Sequence, residues 1–145
     1  MTLFIYTNGS CINETRRKAS AGIGVFFGPY DMRNVSEKLL GPVQSSRRAV
    51  LEAIRRAVIN LGHSGEEATQ SVVVITVNSQ HAVENLIGFQ EHVHCANYDL
   101  IYDIRERVRK SGYFVELRCL PMKYNNKHGE AAQILAMSAA RRYVY

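Results

Sequence analysis

The chain has 145 residues, 46% of them apolar, which suits one packed domain over 1–145 and excludes an intrinsically disordered chain. No run approaches the roughly 18 apolar residues of a membrane span, and MTLFIYTNGS turns polar too early for a signal peptide, so an intracellular protein without membrane contact is expected, in nucleus or cytoplasm. The net charge of +5 is uneven: residues 1–56 carry nine Lys/Arg against four acids, 57–104 carry six acids and no Lys/Arg, and 105–145 carry nine Lys/Arg against three acids. If the two basic segments meet in space, they form a surface for phosphates or for an acidic protein patch; ordinary solubility is the alternative.

A first strand is expected from 3 to 8 (LFIYTN), followed by a polar turn over GSCINETRRKAS. AGIGVFFG at 21–28 reads as a second strand, with glycines where another backbone can come close. Pro29-Tyr30-Asp31 marks a turn, and NVSEKLLG at 34–41 alternates as a third strand would. Short links make these three an antiparallel meander. Ser45 or Ser46 stands where a helix N-cap belongs. Val50, Leu51, Ile54, Val58 and Leu61 then recur at helical spacing up to Gly62, with Arg47, Arg48, Glu52, Arg55 and Arg56 mostly off that stripe. Those arginines are either a binding face or the wet side of the helix.

SVVVITV at 71–77 is apolar throughout, as a buried central strand is. Short helices are expected at 80–89 and from about 97 to 110, then a strand at 113–120, a loop over PMKYNNKHG and a terminal helix from Glu130. Cys11, Cys95 and Cys119 are an odd, widely spaced set, which points to reduced thiols rather than a disulfide framework. His92, His94 and Cys95 cluster without a second ligand group in sequence, so a solvated loop is preferred there over zinc. The histidines show no HExxH arrangement, which argues against a zinc hydrolase.

YTNGSC at 6–11, AGIGVFFGP at 21–29, NVSEKLLG at 34–41, QSSRRAVLEA at 44–53, VNSQ at 77–80 and LP…HGEAAQILAMSAA at 120–140 follow in an order that resembles the type-1 ribonucleases H. The resemblance implies an RNase H-like α/β fold: a five-stranded mixed sheet, order 3-2-1-4-5, with helices on both sides. It also implies metal-assisted hydrolysis of the RNA strand in an RNA–DNA hybrid, with four carboxylates holding two magnesium ions. Those carboxylate positions fall here on Asn8, Val50, Asn78 and Gln133, which are expected to converge on one vestigial pocket. Magnesium is a hard ion that wants anionic oxygen, and none of the four supplies it. No metal, cofactor or nuclease activity is therefore expected.

The accessory features depart as well. The family's loop histidine falls near Lys123, with His128 a few residues on, and its hydroxyl-reading segment becomes Gln44, Ser45, Ser46, Arg47 and Arg48. The basic, Trp-containing protrusion of longer members shrinks to GFQEHVHCANYD. Two functions from different classes remain. One is a pseudoenzyme that binds a protein or dimerises, through the 80–104 helices, the acidic middle segment or the Tyr143-Val144-Tyr145 tail. The other is a pseudonuclease that binds RNA or DNA through Arg16, Arg17, Ser45, Arg47, Arg48, Lys123 and Lys127, expected to share one positive face.

Overall fold

Three glycines set the layer spacing. An added Cβ on Gly9 would lie 2.3 Å from the backbone nitrogen of Val50, and one on Gly24 would lie 2.2 Å from the carbonyl oxygen of Ala132. On Gly22 it would meet the Ala136 oxygen and the Ala140 nitrogen, each at 2.4 Å. Only a bare Cα lets helix backbone rest on strand backbone this closely.

The computed structural model describes residues 2–62, 72–88, 97–119 and 127–142. The elements are β1 (Thr2–Ile12), β2 (Ser20–Phe26), β3 (Val35–Lys38), α1 (Ser46–Leu61), β4 (Val72–Val77), α2 (Gln80–Ile87), α3 (Tyr98–Ser111), β5 (Phe114–Cys119) and α4 (Lys127–Arg141). They build one five-stranded sheet in the order β3-β2-β1-β4-β5, as expected. The β1–β2 and β2–β3 pairs are antiparallel, and the β1–β4 and β4–β5 pairs are parallel.

Strand alternation decides what each face carries. Gly9 faces α1, whereas Asn8 stands opposite Gly24, which faces α4. Ile54 of α1, Leu86 of α2, Ile104 of α3 and Ile75 of β4 meet on the α1 side. α4 covers β1 and β2 from the other side. Ile5, Ile23, Ile54, Val73 and Ile75 are fully buried, and Ala132, Ala136, Ala139 and Ala140 form the buried stripe of α4. Small residues on that helix match the glycines beneath it.

Several boundaries differ from the sequence reading. β1 runs to Ile12 because Gly9, Ser10 and Cys11 keep pairing with Ile23, Gly22 and Ala21. β3 ends at Lys38, and Gly41 follows with φ 99°, a left-handed conformation that glycine tolerates. α4 begins at Lys127, three residues before the expected start. Replacing Gly9 or Gly24 by alanine should destabilise the domain by about 2 kcal/mol or more, since the neighbours are backbone atoms. Denaturant titration of each variant checks this.

Candidate functional site

Asn8 lies in the middle of β1, and Asn78 directly follows β4. Parallel pairing of Tyr6 with Thr76 carries the two asparagines to the same level of the sheet. The Asn78 Nδ2 donates to the Asn8 Oδ1 at 3.3 Å. Asn8 is buried, and the Asn78 Oδ1 is buried without a hydrogen-bond partner among the described residues. Such an oxygen costs about 1–3 kcal/mol.

Val50 arrives from the other side, its backbone against Gly9, the residue after Asn8, and it is 4% exposed. Gln133, half-buried, follows Ala132, whose carbonyl stands over Gly24, the strand partner of Asn8. Asn8 and Asn78 touch, Val50 belongs to the helix packed on one face of β1, and Gln133 to the helix packed on the other. Chemically they present two amides joined by one hydrogen bond, one apolar side chain and a third amide. This donor set does not fit two divalent ions that need anionic oxygen. No group of three or more His, Cys, Asp or Glu among the described residues is placed to hold a metal. His128, on the first turn of α4, lies with its ring 5.3 Å from that of Tyr6 and 5.7 Å from that of Phe26.

The start of α1 is held by carboxylates of this chain. The helix has no acid in its own first turn. Glu14, from the β1–β2 turn, accepts the Ser46 N–H at 2.7 Å and the Ser46 hydroxyl at 2.8 Å. A carboxylate there complements the positive end of the helix. Ser45 is the N-cap and accepts the Arg48 N–H at 3.1 Å. Arg48 itself donates to Asp99 at 2.7 and 3.1 Å and to Asn97 at 3.2 Å, tying the start of α3 to α1. Gln44 brackets the link before α1: its Oε1 accepts the Ala21 N–H at 2.8 Å, and its Nε2 donates to the Leu39 and Gly41 carbonyls.

Ser45, Arg48 and Gln44 are thus occupied within the chain. Arg16, Arg17, Arg47 and Lys127 are exposed and make no ion pair among the described residues. Glu14 belongs to the same β1–β2 turn as Arg16 and Arg17, and Arg47, next to Ser46, lines a small cleft of about 90 Å³ with Ser79, His81, Asn85 and Asn97. Lys127 does not join them. It starts α4 beside the Phe26 end of β2, whereas the β1–β2 turn lies at the Ser20 end, where the Ser20 hydroxyl donates to the Ala140 carbonyl. Lys127 and the β1–β2 turn therefore lie at opposite ends of α4, which runs along β2. His63, His92, His94, Cys95, Lys123 and the 143–145 tail lie outside the described residues. Cys11 and Cys119 are free thiols. No described helix is long and apolar enough to cross a membrane.

With the strand order and this convergence of elements in place, comparison with known proteins is decisive about architecture. The structure superposes on LC11-RNase H1, isolated from compost by a metagenomic approach, with a TM-score of 0.76 and 18% identity over 97% of this chain and 96% of that one. The fold is RNase H-like. LC9-RNase H1 matches the RNase H-like domain with a TM-score of 0.68 and 22% identity over 99% of this chain and 74% of that one. LC11-RNase H1 in complex with RNA/DNA hybrid gives 0.68, with 16% identity over 97% of each chain. In sequence, 82 residues, 57% of the chain, are 35% identical to ribonuclease H of Schizosaccharomyces pombe, spanning 28% of that protein. Mouse ribonuclease H1 is 38% identical over 58 residues, 40% of the chain and 20% of its own length. The chain therefore matches less than a third of the length of these curated relatives. No protein-family model matches it.

Glu14 and Asp99 are the site residues that sequence reasoning missed. Glu14 is the one acid in the otherwise basic NETRRK turn, and that isolation was the available signal. Hydrogen bonds from Arg48 hold the Asp99 carboxyl below its ordinary value of 3.8. The pair therefore stabilises above that value and is lost as pH falls through the depressed pKa. Asp99→Asn should cost about 1 kcal/mol or less at neutral pH, because the carboxylate is largely exposed. Its stability difference from the parent, followed by thermal melts, should vanish in acid.

Proposed function

We propose that this RNase H-like domain does not hydrolyse nucleic acid and acts as a binding module for a protein partner. The observation that carries the reading is the Asn8–Asn78 amide pair, which stands where the resemblance to ribonucleases H places two metal-binding carboxylates. Val50 and Gln133 replace the other two, so no anionic oxygen remains at those positions to hold an ion or to balance charge developing on a phosphate. Protein rather than nucleic acid is favoured by the groups at the start of α1: Ser46 is engaged by Glu14 and Arg48 by Asp99, so the segment corresponding to the hydroxyl reader is satisfied within the chain.

The test is an RNA–DNA hybrid cleavage assay with Mg²⁺ or Mn²⁺. No cleavage is expected, and Asn8→Asp alone should not create any, since three positions would still lack a carboxylate. A measurable rate that disappears when residues of this pocket are altered would sink the reading.

A second reading rests on a separate observation: Arg16, Arg17 and Arg47 are exposed without an ion pair among the described residues, and Arg47 lines the cleft at the start of α1. LC11-RNase H1, of the same fold, is seen bound to a hybrid. Under this reading the domain binds RNA, DNA and hybrid with modest affinity that falls steeply with salt. Arg16 and Arg47 changed together to Glu should then weaken all three alike. Fluorescence anisotropy at two salt concentrations decides it: no binding at low salt leaves the protein-partner function alone.

A further inference from the structure

β5 is the outer strand of the sheet, and its strand neighbour among the described residues is β4. Its two faces differ in chemistry. Val115 and Leu117 face the α1 side, where they line a cleft of about 670 Å³ with Leu86, Ile87 and Val108. Glu116 and Arg118 point to the opposite face, where they pair with each other at 3.0 Å while remaining about half exposed. An edge strand presents unpaired N–H and C=O groups, and charged side chains commonly guard it against further pairing. Here the two guarding charges are opposite and two residues apart. That arrangement selects a register instead of forbidding one.

We infer that this edge pairs antiparallel with the same edge of a second copy of the chain, about a two-fold axis through Leu117. An axis normal to the sheet keeps each face a face, so side chains can stand opposite only residues of the same parity. Centring the pair on Glu116 would set carboxylate against carboxylate, and centring it on Arg118 would set guanidinium against guanidinium. Like charges directly opposite destabilise a strand pair. Centring on Leu117 sets Glu116 of each copy against Arg118 of the other, Val115 against Cys119, and Leu117 against itself. Two intramolecular pairs then merge into a ring of four charges with alternating sign. On the other face the two clefts lie on either side of the axis, each lined in part by Ile87, 67% exposed in the single chain. A six-residue edge alone buries less than the roughly 1,200 Å² of a stable interface. The dimer is therefore a weak, reversible one.

The inference rests on reading the domain as a binding module and names the partner as a second copy. It is tested on the full chain by sedimentation equilibrium across a wide concentration range, with circular dichroism to verify folding. The parent should self-associate reversibly. Glu116→Arg and Arg118→Glu, each alone, should weaken association about tenfold, because both cross-strand pairs become repulsive. The double exchange, Glu116→Arg with Arg118→Glu, should restore it. A parent that stays monomeric into the millimolar range overturns the inference. So does a dimer that the single reversals leave unchanged, which would place the contact elsewhere. Neither result bears on whether the domain cleaves hybrid, and cleavage in the nuclease assay would leave the sedimentation result where it stands.

Discussion

Helix backbone resting on strand backbone, at Gly9 under Val50 and at Gly22 and Gly24 under Ala132, Ala136 and Ala140, is the contact on which the rest of the domain is hung. It brings α1 and α4 to the β1–β2 hairpin from opposite faces at almost the same level. Any side chain at Asn8 is then buried whatever its chemistry, because the layers above and below it are fixed by residues on either side. A cluster of carboxylates in so enclosed a place would repel itself in the absence of an ion. Two amides can satisfy part of each other there, at the expense of one oxygen left without a donor.

The start of α1 follows from the same geometry. Once the hairpin is pinned to the helix by Gly9, its turn projects over the first helical residues, and Glu14 is within reach of Ser46. The positive end of α1 is thereby neutralised from a strand turn, and Arg48 is neutralised from the start of α3. An incoming phosphate would have to displace a carboxylate already held by two hydrogen bonds. Arg16, Arg17, Lys18 and Arg47, by contrast, are exposed and have no such partner among the described residues.

The layer order was legible because it is written in local periodicity: the 3.6-residue stripe from Val50 to Leu61, the unbroken apolar run of β4, and the glycines of AGIGV. Strand order came from the resemblance, since nothing local says that β4 inserts beside β1. Ends were less legible. β1 continues through Gly9-Ser10-Cys11 because its partner Ala21-Gly22-Ile23 has room for α4 above it, and polarity alone made that stretch look like a turn. The meeting of Asn8 with Asn78 could be anticipated from motif positions. Glu14 with Ser46 and Arg48 with Asp99 could not, because side-chain hydrogen bonds between residues 32 and 51 positions apart leave no pattern in the chain.

The clamp on Gly9 has one more consequence, for the lifetime of the Asn8 side chain. In a flexible peptide an Asn-Gly step loses ammonia readily: the glycine nitrogen attacks the side-chain carbonyl carbon, and the cyclic imide then opens in water to aspartate or its isomer. That attack requires the backbone between the two residues to rotate out of the extended form. In β1 the segment is paired with β2, and Gly9 has the backbone of α1 directly against it. Folding therefore protects an amide that the unfolded chain would slowly turn into an acid, and the contact that shapes the pocket also preserves its chemistry.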